Sequence, residues 1–199
     1  ADYFELLARF PVYRPYAERI RELIPLLAEP VERADALFRL SGYEVHTGGA
    51  YALELAEIAG NLVSEGRLEQ AERIYRQAVA LAPHDLWHQT HLADTLMAQG
   101  NADEAVLYYA DVLERAPESP YSATQFNRAC VQAGKEAYKL QFWESLHGKA
   151  PDAMVPALHL ARAYEQRQRW EEAAVLYDRL LAAHENQPEI MLRHGAFIA

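Results

Sequence analysis

Three histidines at close spacing are the nearest approach in this chain to a metal-binding cluster. His88 and His91 are three residues apart, which places both on one face of a helix, and His84 precedes them by one turn. A zinc site needs three or four ligands in a fixed arrangement, and no cysteine or acidic ligand stands at a diagnostic spacing here. We therefore interpret these residues as solvated histidines at a helix entry and predict no metal site.

Catalytic motifs are the second kind of chemistry that a sequence can reveal. This one contains no Gly-rich phosphate loop, nucleophile elbow, paired-cysteine motif or zinc-protease helix. Its single cysteine, Cys130, excludes an intrachain disulfide and a multi-cysteine metal cluster. The sequence therefore predicts a protein that is not an enzyme and has no catalytic residues and no cofactor.

The composition indicates a helical protein that does not bind nucleic acid. Hydrophobic residues make up 51% of the 199 residues, and the strong helix formers Ala and Leu supply much of that fraction. The net charge of -10 opposes binding to a phosphate backbone.

No apolar run approaches the roughly 20 residues that a membrane-spanning helix needs. Because the chain begins without Met and ends in an apolar segment, we expect the native protein to continue past one or both ends.

A repeat of 34 residues organises most of the chain. A glycine, a proline, and an alanine followed four residues later by a tyrosine recur at this spacing or at twice it. They are Gly66, Gly100 and Gly134; Pro83, Pro117 and Pro151; and Ala71, Ala105 and Ala173 with Tyr75, Tyr109 and Tyr177. A helix-sized segment with apolar residues three and four apart lies on each side of every glycine. Each repeat is therefore predicted to be a hairpin of two helices.

The glycines and prolines mark where these helices end. Glycine permits the tight turn inside a hairpin, and proline just beyond the second helix stops the hydrogen-bond ladder. The side chains of Asp85, Ser119 and Asp152 are predicted to cap the helices that follow them, and Asn101 with Glu104 resembles a capping box.

The positions of small and aromatic residues resemble those of the tetratricopeptide repeat family. The residues that carry the resemblance are Leu55, Ile58, Ala59, Leu62, Gly66, Ala71, Tyr75, Ala78 and Pro83 in the first repeat, Leu92, Ala93, Leu96, Gly100, Ala105, Tyr109, Val112 and Pro117 in the second, and Leu160, Ala161, Tyr164, Trp170, Ala173, Tyr177 and Leu180 in the fourth. The third repeat departs from it, with Asn127 where a small residue is expected and Lys139 where Ala is expected. Its second helix is predicted to be rotated or displaced.

The resemblance implies an all-α protein, a right-handed α-solenoid of about ten to twelve helices with almost no strand. Four repeats are predicted within residues 49–187, namely 52–85, 86–119, 120–153 and 154–187. Residues 1–48 are interpreted as N-terminal helices, either a degenerate repeat or a cap, with helices at 15–29, kinked at Pro25, and at 30–40. Residues 188–199 are interpreted as a capping helix or as the start of a truncated repeat.

The pattern also predicts which large side chains are buried. Tyr75, Tyr109, Tyr164 and Tyr177 are expected between helices, and Trp143 and Trp170 are expected in the core. Cys130 takes the position that Leu62 and Leu96 fill in other repeats, so it is interpreted as a small core residue and not as a reactive thiol.

In the tetratricopeptide family the first helices of the repeats line a concave groove, and the resemblance implies that a partner binds there. The groove face, defined as the side of these helices opposite their packing positions, follows from the 34-residue shift. It comprises Trp87, Thr90, Asp94 and Met97 in repeat two, Tyr121, Thr124, Arg128 and Val131 in repeat three, and Val155, Leu158, Arg162 and Glu165 in repeat four, with Leu53, Ala56, Gly60 and Val63 in repeat one. Exposed aromatic and Arg side chains are the residue types that anchor interfaces.

Chaperone-binding members of the family hold a peptide carboxylate with Lys and Asn residues on this face. Only Arg128 is comparable here, and Asp94 stands at an Asn position, where it would repel a carboxylate. That specific activity is therefore not favoured. The third repeat is the one with a positive net charge, which is either drift in a tolerant repeat or a docking site for an acidic surface or a lipid head group.

Three functions remain open at this point. The repeat and the lack of a catalytic constellation favour a protein-binding scaffold whose partner is a protein or peptide. One alternative is a segment of a larger membrane-associated bacterial assembly, such as polysaccharide export or secretion machinery. A second alternative is an accessory domain of a larger enzyme such as a transferase. The chain is expected to be a soluble region, cytoplasmic or periplasmic, or a part of a membrane-associated protein.

Overall fold

The structure, a computed structural model, describes residues 3–9, 14–43 and 48–183. This part of the chain is all-α, with eleven α-helices and no strand. The helices are α1 (Tyr3–Arg9), α2 (Arg14–Leu23), α3 (Pro30–Ser41), α4 (Gly48–Ser64), α5 (Leu68–Leu81), α6 (Leu86–Ala98), α7 (Ala102–Arg115), α8 (Pro120–Gln132), α9 (Glu136–Lys149), α10 (Met154–Gln166) and α11 (Trp170–Ala183). The segment 188–199, predicted as a cap or a truncated repeat, lies outside the described residues.

The chain divides into two compact units, Ala1–Asn101 and Ala102–Ala199. In the first unit α4 and α5 form a close antiparallel hairpin, against which α3 and α6 pack. In the second unit α10 and α11 form the corresponding hairpin, and α10 also contacts α8 and α9. The helices α8 and α9 lie less closely together than α10 and α11 do.

The predicted kink at Pro25 is instead a helix end. The α-helix stops at Leu23, and Pro25 lies in a short 3₁₀ turn, Ile24–Leu26, because proline has no N–H for the ladder and disfavours an α conformation in the residue before it. The next helix begins with Pro30 at its first position, where the missing N–H costs nothing.

The predicted turn glycines are confirmed. Gly66, Gly100 and Gly134 have φ angles of 77°, 84° and 66°, the left-handed region that glycine adopts without strain. At each turn the next amide N–H donates to the carbonyl five residues earlier, as Lys135 does to Cys130 over 2.7 Å. These bonds form the Schellman motif that ends a helix.

The fourth repeat forms the same turn with a residue unsuited to it. Gln168 takes the position 34 residues after Gly134 and has a φ of 58°, and the N–H of Arg169 donates to the carbonyl of Tyr164 over 3.0 Å. A side chain in this conformation costs about 1 kcal/mol or more because Cβ approaches the following carbonyl.

We expect Gln168→Gly to raise the free energy of unfolding by about 1 kcal/mol, as measured by urea denaturation, because it relieves this strain. The matched control is Gly134→Gln, which should lower stability by a similar amount, since no atom lies within 4 Å of a Cβ built there and the strain alone acts. Unchanged stability in both variants would contradict this account of the turn.

Two of the three predicted caps are present. Asp85 Oδ1 accepts from the Trp87 amide over 2.9 Å, and Ser119 Oγ accepts from the Ser122 amide over 3.3 Å. The third prediction is wrong, since α10 begins one residue later than expected. Ala153 therefore occupies the cap position, where no side-chain bond forms, and Asp152 lies outside it.

The small and aromatic positions fill the cores of the two units as predicted, with two corrections. Tyr75, Tyr109, Tyr177, Trp143 and Cys130 are buried, and burial raises the pKa of the Cys130 thiol to about 12. Tyr164 is only half-buried; its hydroxyl donates to Glu144 and the Arg169 guanidinium lies over its ring. Trp170 is 51% exposed. It is the first residue of α11, so α11 has no preceding turn over which its side chain could pack.

The interpretation of all three histidines as solvated is also corrected. His84 is exposed and His91 half-buried, but His88 is fully buried, and this burial lowers its pKa. Within the described residues, no group of three His, Cys, Asp or Glu side chains could hold a metal ion.

Candidate partner-binding surface

In the first unit, the predicted groove face on α6 is held by contacts within the helix. Trp87 is 50% exposed and its ring lies 3.8 Å from that of His91, whose Nδ1 bonds the Trp87 carbonyl. The Thr90 hydroxyl donates to the Leu86 carbonyl over 2.7 Å. The other predicted residues of this helix, Asp94 and Met97, are half-buried. These contacts fix the indole at the start of the face.

On α4, also in the first unit, the predicted face is divided. Leu53 is 60% exposed, whereas Ala56 is buried and Gly60 and Val63 are half-buried. The described part of the first unit also contains a cavity of about 530 Å³ that sequence reasoning missed. Its charged lining residues are Glu54, Glu57 and Glu65 with Arg33. The cavity is therefore predominantly acidic.

In the second unit, the predicted residues of α8 form one accessible stripe. Tyr121 and Val131 are 51% and 57% exposed, and Thr124 and Arg128 between them are exposed as well. On α10, Leu158, Arg162 and Glu165 are half-buried. Val155, which the same 34-residue shift included, is buried and cannot contact a partner from this surface.

Four of these residues line one cavity of about 540 Å³, which we call the basic pocket. Its lining comes from α8, α9 and α10 and consists of Thr124, Asn127, Arg128, Val131, Gln132, Lys139, His159, Arg162, Ala163 and Gln166. Tyr121, Leu158 and Glu165 are not among the lining residues. The pocket contains three cationic side chains and no carboxylate, although the whole chain has a net charge of -10.

The innermost cation of the basic pocket is a residue that the groove prediction missed. Lys139 is 8% exposed, and its Nζ donates to Gln166 Oε1 over 2.9 Å. It stands at a position where Ala71, Ala105 and Ala173 are fully buried. The sequence did contain a signal, since Lys139 and Asn127 were the two departures from the repeat pattern. Both departures line the same cavity.

A chain of hydrogen bonds behind the basic pocket fixes the orientation of its polar groups. Trp143 Nε1 lies 2.8 Å from Asn127 Oδ1, and Asn127 Nδ2 lies 2.7 Å from His159 Nδ1. The indole N–H is only a donor, so the amide oxygen of Asn127 must face it and the amide N–H must face the imidazole. His159 Nδ1 therefore accepts, and the proton of the neutral ring is on Nε2.

The environment of His159 opposes its protonation. The ring is buried and stacks on Trp143 with ring centres 4.9 Å apart. Burial first, and then the nearby charges of Arg162 and Lys139, lower the pKa of His159 to about 4. A proton added at Nδ1 would also face the N–H of Asn127. At neutral pH His159 is therefore a neutral hydrogen-bond donor through Nε2, close to the cationic side chains of Arg162 and Lys139.

The helix hairpins, turn glycines and buried alanines define an α-helical repeat protein. Tetratricopeptide repeat profiles match residues 62–125 and 155–197, which together are more than half of the chain. The chain belongs to the tetratricopeptide repeat family. None of the curated proteins matches it in sequence.

Solved structures show the same fold at low sequence identity. A tetratricopeptide repeat protein from Parabacteroides merdae matches with a TM-score of 0.51 and 13% identity, over 99% of this chain and 73% of that protein. A crystal structure of the MamA protein matches with a TM-score of 0.51 and 12% identity, over 73% and 80% of the two chains. YrrB, described as a tetratricopeptide repeat protein with an unusual peptide-binding site, matches with a TM-score of 0.48 and 11% identity, over 97% of each chain. In the described part of this chain, no helix combines the length and apolarity needed to cross a membrane.

Proposed function

We propose that this protein is a non-catalytic scaffold that binds a segment of a partner protein or peptide on its groove face. The observation that carries the proposal is that Thr124, Arg128, Val131 and Arg162, all selected from the repeat alone, line one cavity. Repeat arrays of this kind use concave surfaces to bind partners. A pocket beside an exposed aromatic residue is a common arrangement for an interface anchor.

The residue types on α8 and α10 fit a protein partner. Tyr121 and Val131 expose apolar area to water, and contact with a partner would remove that area from water. Arg128 lies between them and, among the described residues, has no hydrogen bond or ion pair. Its guanidinium is therefore available to a ligand without breaking an existing interaction.

A peptide selection tests this function directly. Peptides selected from a random library on the immobilised wild-type chain should bind the double variant Arg128→Glu with Arg162→Glu at least about tenfold more weakly, because the charges of both cationic side chains on the groove face are reversed. Affinities are measured by fluorescence anisotropy with the purified variants. The circular dichroism of the double variant should remain that of a folded helical protein.

The matched control is Lys149→Glu with Arg179→Glu, which makes the same change in net charge at exposed positions of α9 and α11 outside the basic pocket. It should bind the selected peptides within about twofold of the wild type. If no peptide is enriched, or if both double variants bind equally well, the proposed function is wrong.

A further inference from the structure

Lys139 and Asn127, the two residues of the third repeat that depart from the repeat pattern, both line the basic pocket. An alanine at position 139 and a small residue at position 127 would let the helices pack closely, as they do between α4 and α5 and between α10 and α11. Lys139 and Asn127 instead line a cavity of about 540 Å³. A buried ammonium is costly unless it is paired, and no carboxylate of the described residues pairs with Lys139. Residues that break a local packing rule are expected at functional sites.

The polar lining of the basic pocket consists mainly of hydrogen-bond donors. The Nζ of Lys139 has three N–H groups, and one of them is used by Gln166. Because Gln166 Oε1 accepts this bond, its amide N–H groups remain as donors. The bond chain from Trp143 leaves His159 with its Nε2–H. Together with Arg128 and Arg162, this arrangement suits an oxyanion, and no carboxylate lines the pocket to attract a cation.

Charge and size indicate what kind of anion fits. A bare phosphate or carboxylate would fill a small part of a cavity of about 540 Å³, since one water occupies about 30 Å³ in the liquid. The cavity is continuous with the exposed Val131 on α8, and the exposed Tyr121 lies on the same helix face. A ligand that carries an acid next to an apolar group would use both features.

We propose that the basic pocket binds an acidic side chain of a partner segment, with the carboxylate held by Lys139, Arg128 and Arg162 and apolar residues of the same segment against Val131 and, further along α8, against Tyr121. This inference rests on the proposed scaffold function and specifies the chemistry of its partner. The net negative charge of the rest of the chain repels acidic segments elsewhere on the surface, which confines them to this pocket.

The test uses a blocked peptide of alternating leucine and glutamate, in which neither terminus carries a charge. Binding is followed by NMR through the indole N–H signal of Trp143, because this group donates to Asn127 in the pocket wall. The chain has three tryptophans, so Trp143→Phe assigns the signal. The glutamate peptide should shift this signal, and the same peptide with glutamine should bind at least about tenfold more weakly.

Lys139→Met is the decisive variant, since it keeps the length of the side chain and removes its charge. It should lower the affinity for the glutamate peptide at least about tenfold. Lys149→Met, which removes an exposed lysine of the same helix, should change this affinity less than about twofold. Arg128→Gln should also weaken binding, and because Arg128 is exposed it keeps the test valid if the Lys139 variant does not fold.

Several results would overturn the inference. Inorganic phosphate that binds through Lys139 when the glutamate peptide does not would show a site for a free anion. A Trp143 signal that does not respond to the glutamate peptide would exclude the pocket. Library-selected peptides that bind wild type and Lys139→Met equally, yet lose affinity when Arg128 and Arg162 are reversed, would overturn the inference and leave the scaffold function standing.

Discussion

Trp143→Ala should lower the free energy of unfolding by about 3–5 kcal/mol, the range for removing a large buried aromatic side chain. Trp143 is fully buried, and its ring contacts Phe126 on α8, Phe142 on α9 and His159 on α10 at centroid distances of 5.4, 5.3 and 4.9 Å. The substitution also leaves Asn127 Oδ1 without its donor. Urea denaturation followed by circular dichroism measures the loss, because tryptophan fluorescence changes with the mutation itself.

The matched control is Trp170→Ala in the same unit. The sequence pattern predicted both tryptophans to be buried, but Trp170 is 51% exposed at the start of α11. Its removal should cost about 1 kcal/mol or less, as for other partly exposed side chains. Similar losses in the two variants would contradict the account of which indole belongs to the core.

Lowering the pH from about 7 to about 5 should cost the protein about 2 kcal/mol of stability through His159 alone. Its pKa is lowered to about 4 in the folded state by burial and by Arg162 and Lys139, so between this value and its ordinary pKa the unfolded chain binds more protons. Above the ordinary pKa of histidine, His159 is neutral in both states and costs no stability. As the pH falls from that value toward the pKa in the folded state, the free energy of unfolding decreases. His88 and His147, whose pKa values burial also lowers, add to the same trend.

The contribution of His159 is isolated by His159→Gln, which does not titrate and keeps a group that can accept from Asn127. Unfolding free energies measured at both pH values should differ by about 2 kcal/mol less in this variant than in the wild type. In Lys139→Met the pH response should be reduced in part, since one of the two neighbouring cations is removed while burial remains. An equal pH response in wild type and His159→Gln would show that His159 is protonated without cost in the folded state.

The 34-residue period predicted the helices because each of its signals acts locally. Gly66, Gly100 and Gly134 each form the turn that a glycine permits, and the alanines at the close-packed positions are buried. The same locality explains the errors. Periodicity predicted that Trp170 and Tyr164 are buried and that Val155 lies on the groove face. The exposure of each side chain, however, depends on which neighbouring helix covers it. The turn at Gln168 formed without a glycine because the surrounding hairpin outweighs the strain of one residue.

The sequence by itself determined the fold class, the family and the two positions where the third repeat departs from the pattern. Those positions followed from residue types, because a lysine and an asparagine cannot fill the space of an alanine. Only the tertiary structure decided what the departures do. Lys139 and Asn127 are twelve residues apart in the sequence and lie on different helices, so their common cavity, and its completion by His159 and Arg162, depends on how α8, α9 and α10 pack. That packing results from contacts between residues distant in sequence, which no spacing along the chain encodes.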